Sequence, residues 1–156
     1  MRNSTAGAYG GLAGGLLTTG VMTAGRRTGL LHKTLAEHAK DWLDLITGAR
    51  RHIGDRGITF VEQANHLGAA AAFGSGYGLL RSRLPLPALL AGALYGGCLY
   101  AVNIAGIAPR MGLTEGETAA PTAVSVQRLT MHVLFGVTTA LVAERLMDQP
   151  RYRRQK

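Results

Sequence analysis

Four long stretches of this 156-residue chain contain no charged residue, and they constrain the fold more than any other feature. They are residues 3–25, 63–80, 84–109 and 129–143. The hydrocarbon core of a bilayer is about 30 Å thick and takes roughly 20 apolar residues as a helix. The first and third stretches reach that length alone, and the other two reach it with polar residues at one end. The first and third also lack the polar face of a water-soluble helix. The sequence therefore predicts an all-α, polytopic membrane protein.

The four stretches predict four transmembrane helices in one domain of residues 1–156. The predicted spans are about 6–25, 60–80, 85–108 and 126–147. Only residues 81–83 separate the second span from the third, and Pro85 and Pro87 suit the first turn of a helix. The chain is thus predicted to form a four-helix bundle of two helical hairpins.

The long connection between the first two spans contains a predicted amphipathic helix over about residues 34–47. Thr34 and Glu37 have the spacing of a capping box, and Gly48 is placed to end the helix. The apolar face of this helix consists of Leu35, Ala39, Trp42, Leu43 and Ile46. We predict a helix on the membrane surface with Trp42 as its interface anchor. A helix packed on the bundle would have the same sequence pattern.

The formal net charge of +8 arises mostly from basic residues that flank the apolar stretches. Membrane proteins place Lys and Arg there to meet anionic lipid headgroups, so we expect the lipid bilayer, and no nucleic acid, as the partner of this charge. The two sides hold almost equal numbers of Lys and Arg. The basic C-terminal tail and the basic hairpin favour both termini in the cytoplasm. The single cysteine, Cys98, cannot form a disulfide within the chain.

The two predicted hairpins resemble each other in sequence. AGGLLTTGVMT (residues 13–23) aligns with AGALYGGCLYA (91–101), and HLGAAAAFGSGYGLL (66–80) aligns with HVLFGVTTALVAERL (132–146). This indicates a parallel internal repeat with a pseudo-twofold axis along the membrane normal.

The repeat places His66 and His132 at one depth, about one turn inside the bilayer. Five residues would then form a polar layer near that face, namely Glu62, His66, Asn103, Arg128 and His132. Ionisable groups inside a membrane are costly unless they are paired or hydrated. The layer is therefore a candidate site for a ligand or a proton.

Three interpretations of the polar layer are open. In the first, Glu62 pairs with Arg128 and the histidines hydrogen-bond to neighbouring helices, which fixes the register of the bundle. In the second, Glu62 and His66, spaced i, i+4, bind a metal with His132 as third ligand, or the two histidines hold a haem. The alanine run 69–72 favours close helix packing over a cofactor slot, so no cofactor is expected. In the third, the layer relays protons or a small solute.

Glycines at four-residue spacing predict close helix contacts. They are Gly7, Gly10, Gly11, Gly14 and Gly15 in the first span, Gly74 and Gly78 in the second, and Gly92 and Gly96 in the third. The first span has more such pairs than one neighbouring helix needs, which predicts a homo-oligomer or a larger membrane complex. The sequence contains no nucleophile elbow, P-loop or paired-cysteine zinc motif. The predicted function is therefore that of a non-enzymatic, structural or accessory membrane component.

Four segments together are similar to a known family. They are GVMTAGRRTGLL, HLGAAAAFGSGYGLL, AGALYGGCLYAVNIAGIAPRMGL and HVLFGVTTALVAERL. The chain resembles the YagU-like bacterial inner-membrane proteins, which are small four-helix proteins of undefined role. The resemblance covers most of the chain and implies a multi-pass protein of the bacterial inner membrane with no known catalytic activity. It singles out His66 and His132 and implies no cofactor.

Overall fold

The computed structural model describes residues 1–29, 31 and 35–148, apart from the side chains of 35–39, and these residues form five helices. The helices are α1 (Asn3–Arg27), α2 (Leu35–Thr47), α3 (Ala49–Arg81), α4 (Ala88–Arg110) and α5 (Thr122–Asp148). No strand occurs among the described residues, so the all-α prediction is confirmed. The predicted capping box of Thr34 and Glu37 lies outside the described residues and side chains.

The long helices follow the predicted spans. Helices α1, α4 and α5 match their spans to within about one turn at each end, and the span 60–80 is the C-terminal part of α3. Within the described ranges, two helices are long and apolar enough to cross a membrane, and these are α4 and α5. This finding supports a membrane location by length and composition.

The junction between α2 and α3 is built on glycines in conformations that other residues rarely adopt. Helix α2 ends at Thr47, and Gly48 follows with a φ of 62°. Gly54 has a φ of 67° and a ψ of 177°, which puts a kink near the start of α3. The Arg50 side chain holds the junction together, because its Nε lies 3.3 Å from Asp44 and 3.4 Å from Asp55. Residues 49–59, predicted as connection, are therefore mostly helical.

Helix α1 lies between α3 and α5, and glycines make both contacts close. A Cβ atom added to Gly7 would lie 2.9 Å from the backbone nitrogen of Gly78 on α3. A Cβ atom added to Gly14 would lie 2.9 Å from the carbonyl oxygen of Phe135 on α5. All nine glycines predicted to pack helices lie where a Cβ atom would collide with a neighbouring helix. Two helices of the same chain therefore occupy both glycine faces of α1.

The second hairpin uses equivalent contacts. Helix α4 packs on α5, where Gly96 faces the backbone of His132 and Val133. In the first hairpin, Gly15 occupies the matching place beside Leu67 and His66. The sequence alignment paired Gly96 with Thr18 instead, so it was about one turn out of register for α1. The alignment of His66 with His132 fits the packing of both hairpins.

Helices α3 and α4 meet at one end only. Next to their connection, the rings of Tyr77 and Tyr95 pack edge to face at 5.4 Å, and the Tyr95 hydroxyl donates to the Phe73 carbonyl at 2.5 Å. The Arg81 side chain also pairs there with Glu144 of α5. Tyr77 belongs to a buried core cluster with Ala91, Ala140 and Ala143. We call this region the closed end.

In the part of α4 that lies away from the closed end, the chain forms a π-helix, whose turns are wider than those of an α-helix. The π segment runs from Tyr100 to Ile107, and the Ala108 amide donates to the Asn103 carbonyl. Pro109 explains this winding, because it has no N–H and its ring would clash with the Ala105 carbonyl in a regular α-helix. The sequence predicts a helix here, but the wider turn was not predicted.

Candidate functional site

A cavity of about 640 Å³ lies between α3, α4 and α5, at the end of the bundle away from the connection of α3 to α4. We call this region the open end. Its walls are mostly apolar, with Thr18 and Met22 contributed by α1 and Trp42 and Leu43 contributed by α2. All five residues of the predicted polar layer line it, namely Glu62, His66, Asn103, Arg128 and His132.

Glu62 is paired with a residue that the sequence analysis left out of the layer. Its carboxylate lies 3.1 Å from the ammonium group of Lys40 on α2, and both side chains are at most 20% exposed. The predicted pair with Arg128 is not formed. An ion pair from α2 was not anticipated because α2 was placed on the membrane surface. Instead, α2 packs on α3 and covers one side of the cavity.

Arg128 is paired with Glu117, which lies in the connection between α4 and α5. The Tyr100 hydroxyl donates to the same carboxylate at 2.5 Å. Burial tends to raise the pKa of Glu117, but the hydrogen bond from Tyr100 and the hydrogen bond and charge of Arg128 outweigh it and lower the pKa below its usual value. The Arg128 Nε is buried and has no hydrogen-bond partner.

Tyr100 and Glu117 are the main residues that the sequence analysis missed. Arg128 has no acidic residue one turn before or after it, since those positions hold Val124 and His132. The absence of an acidic residue one turn away indicated a partner from elsewhere in the chain. It did not distinguish Glu117 from its neighbour Glu115, because that choice depends on how the connection between α4 and α5 folds.

The two histidines differ in their hydrogen bonds. The His132 Nδ1 lies 2.8 Å from the Arg128 carbonyl oxygen. A carbonyl only accepts, so this contact assigns the proton to Nδ1 and leaves Nε2 as an acceptor. The His66 Nε2 is buried and has no partner. The Tyr100 ring packs edge to face on His132, with the ring centroids 6.0 Å apart.

The remaining predicted residues also border the cavity. Asn103 lies on the π segment of α4, so the wide turns carry one polar residue of the layer. Trp42 lines the cavity from α2 and is partly buried. Its role as an interface anchor stays a prediction. Asn65 and Gln127 line the cavity as well and were not predicted.

The three residues proposed as metal ligands do not form a ready metal site. Among the residues that the structure describes, no three His, Cys, Asp or Glu side chains are grouped closely enough to hold one metal ion. Glu62 is engaged by Lys40, and Glu117, the acid nearest to Arg128, is engaged by Arg128 and Tyr100. Binding of a metal or haem, and proton relay, stay predictions.

Comparison with known proteins gives no relative. The chain matches no protein-family model, no curated protein and no solved structure. The resemblance to the YagU-like family therefore stays a prediction.

Proposed function

We propose that the protein is a multi-pass membrane protein that holds a small, mostly apolar molecule in the cavity of the open end. The observation that carries this proposal is the cavity itself, whose mostly apolar walls include a few polar residues, among them Asn103 and His132. A bundle that only packs helices gains nothing from an unfilled space of this kind, because the side chains around it lose packing contacts.

The size of the cavity supports the same proposal. Protein interiors are close-packed and leave few voids larger than a water molecule. The volume of about 640 Å³ falls in the range of small-molecule sites, which is about 300–1,000 Å³. Such sites combine apolar walls with a few polar groups that orient the ligand. The open end has this combination.

The outward faces of the helices support a membrane environment for all four long helices. Large apolar side chains are exposed on each of them, including Leu16 on α1, Leu79 on α3, Leu94 on α4 and Leu141 on α5. Apolar surface of this extent is unfavourable in water and favourable against lipid tails. We therefore propose four spans, in the bacterial inner membrane, with both termini in the cytoplasm.

Cysteine labelling tests this topology, because the natural Cys98 can be removed first. In a Cys98→Ser background, Arg51→Cys and Ser82→Cys are compared for reaction with a membrane-impermeant maleimide in intact cells. Four spans place the two positions on opposite sides, so Arg51→Cys reacts at once and Ser82→Cys reacts only after permeabilisation. Glu115→Cys serves as control and behaves like Arg51→Cys. If Arg51→Cys and Ser82→Cys react alike, α3 does not cross the membrane.

Extraction of bound molecules tests the cavity. The protein is purified in native lipid discs, and its small-molecule content is measured by mass spectrometry. Ala69 lines the cavity, so Ala69→Phe fills it, whereas Ala72 is exposed on the same helix and Ala72→Phe is the matched control. We expect one molecule that is enriched in the wild type and in Ala72→Phe and depleted in Ala69→Phe. Equal content in all three proteins contradicts the proposal.

A structural or accessory role is the second candidate, and the glycine contacts favour it. These contacts are all within one chain, so they no longer argue for a partner on α1. Gly20 and Gly97 face open space, which makes them the positions for a contact between copies. The native mass of Gly20→Leu and Gly97→Leu tests this role. A homo-oligomer that persists in both variants does not use these surfaces.

A further inference from the structure

We propose that the cavity of the open end selects an uncharged amphiphile with a hydroxyl head, such as a long-chain alcohol, over the corresponding carboxylate. This inference rests on the proposed binding function and names its ligand class. It follows from the charges and the hydrogen-bonding groups of the cavity wall.

The charges of the wall are already balanced. Among the side chains that the structure describes, three charged ones line the cavity, namely Lys40, Glu62 and Arg128. Lys40 and Glu62 neutralise each other, and Arg128 is neutralised by Glu117. An anionic head would add a buried charge with no free partner, which is costly in an apolar environment. An uncharged head avoids that cost.

The cavity wall includes a hydrogen-bond acceptor on His132. The His132 Nε2 accepts, because Nδ1 holds the proton that faces the Arg128 carbonyl. A hydroxyl donates to a histidine nitrogen, whereas a carboxylate, a carbonyl oxygen or an ether can only accept.

The rest of the cavity suits an alkyl body. Its walls include Phe73, Leu99, Ile104, Ile107, Met131 and Phe135, which come from α3, α4 and α5. Met131 adds a flexible side chain that adapts to ligands of different shape. The ligand thus lies with its head at the histidines and its chain along these residues.

The only tryptophan of the protein reports on occupancy, because Trp42 lines the cavity. Bromine quenches indole fluorescence at short range. The probes are 11-bromoundecanol, 11-bromoundecanoate and 1-bromoundecane, added to the protein in lipid discs at a pH well above the pKa of a carboxylic acid. Quenching by probe dissolved in the lipid is measured with Ala69→Phe and subtracted.

We expect 11-bromoundecanol to bind about tenfold more tightly than either of the other probes, which corresponds to about one well-made hydrogen bond. His132→Leu should abolish the preference for the alcohol over the bromoalkane, and His132→Gln, which keeps a hydrogen-bonding group, should restore part of it. A change that only destabilises the fold would not separate the two variants in this way.

Two other outcomes are distinguishable. Binding of 11-bromoundecanoate as tight as that of the alcohol overturns the head-group selection and leaves the cavity as a binding site. Equal quenching by all probes in the wild type and in Ala69→Phe means that the cavity takes none of them. That result overturns both this inference and the proposed function.

Discussion

The closed and open ends of the bundle differ in how far neighbouring helices approach each other. At the closed end, Gly7 and Gly74 bring two backbones into direct contact, and Tyr77 fills the remaining space with no exposed surface. At the open end, α3 and α4 face each other through His66 and Asn103 and leave a cavity. Close glycine contacts of α1 with α3 and of α4 with α5 reach both ends, so the separation of α3 from α4 is what opens the bundle at one end.

The predicted internal repeat makes the difference between the two ends clearer. A true twofold axis would pack α4 against α3 in the same way that α1 packs against α5. The contact of α1 with α5 is close, whereas the space between α3 and α4 holds the cavity. The π segment that begins at Tyr100 has no counterpart in the first hairpin, and the covering helix α2 has none in the second. The site thus lies where the two hairpins depart from symmetry.

The largest expected effect is at the closed end. A Cβ atom on Gly74 would lie 2.6 Å from the Cα of Gly11, so Gly74→Leu should force α1 and α3 apart. We expect a loss of at least about 3 kcal/mol in the free energy of unfolding, measured by SDS titration in detergent. Gly68 lies on the same helix and has nothing within 4 Å of an added Cβ. Gly68→Leu should be neutral or stabilising by about 1 kcal/mol. Equal effects of the two variants would contradict the account of the closed end.

The next effect concerns the ion pair at the open end. Arg128→Met leaves the Glu117 carboxylate partly buried without its cation, and we expect a loss of about 3 kcal/mol in the free energy of unfolding. Adding Glu117→Gln to the first change should recover part of the loss, because the unpaired charge is removed. A double-mutant cycle in detergent measures this coupling. Additive effects of the two changes would show that the residues do not interact.

Acid should weaken the same pair. The pKa of Glu117 is lower in the folded protein than its ordinary value of 4.5, so the stabilisation is complete above that pH and is lost as the pH falls below it. We expect the melting temperature of the wild type to fall more steeply below pH 4.5 than that of Glu117→Gln. Parallel curves for the two proteins would contradict the assignment.

The smallest effect is expected at the pair between α2 and α3. Lys40 and Glu62 are partly accessible, so Lys40→Gln should cost less than about 1 kcal/mol. The change should instead loosen α2 and increase quenching of Trp42 by acrylamide. Arg51→Gln is the control, because Arg51 is exposed on α3. Unchanged quenching in Lys40→Gln would show that the pair does not hold α2 over the cavity.

Much of the architecture was predictable from local patterns. Uncharged stretches gave the positions of the long helices, and glycine spacing gave the close contacts, because both depend on neighbouring residues in one helix. The aligned residues His66 and His132 both line the cavity, and their depth in a bilayer stays a prediction. The family resemblance and the number of spans stay predictions.

The pairing inside the site was not predictable in the same way. Glu62 pairs with Lys40 and Arg128 with Glu117 because of how α2 and the connection before α5 fold back on the bundle. The connection has no strong periodic pattern, and the amphipathic pattern of α2 does not distinguish the membrane surface from the bundle, so tertiary contacts decide their placement. The π segment depends on Pro109. The widening of the turns before this proline was not predicted from the sequence.

The most direct test compares probe access at the two ends. Quenching by 11-bromoundecanol is measured for Trp42 in the natural protein and for a reporter in the double variant Trp42→Phe/Tyr77→Trp, where position 77 is fully buried at the closed end. The account predicts strong quenching of Trp42, its loss in Ala69→Phe, and little quenching at position 77. Equal quenching at the two positions, or no effect of Ala69→Phe, would contradict the claim that the bundle is closed at one end and open to a ligand at the other.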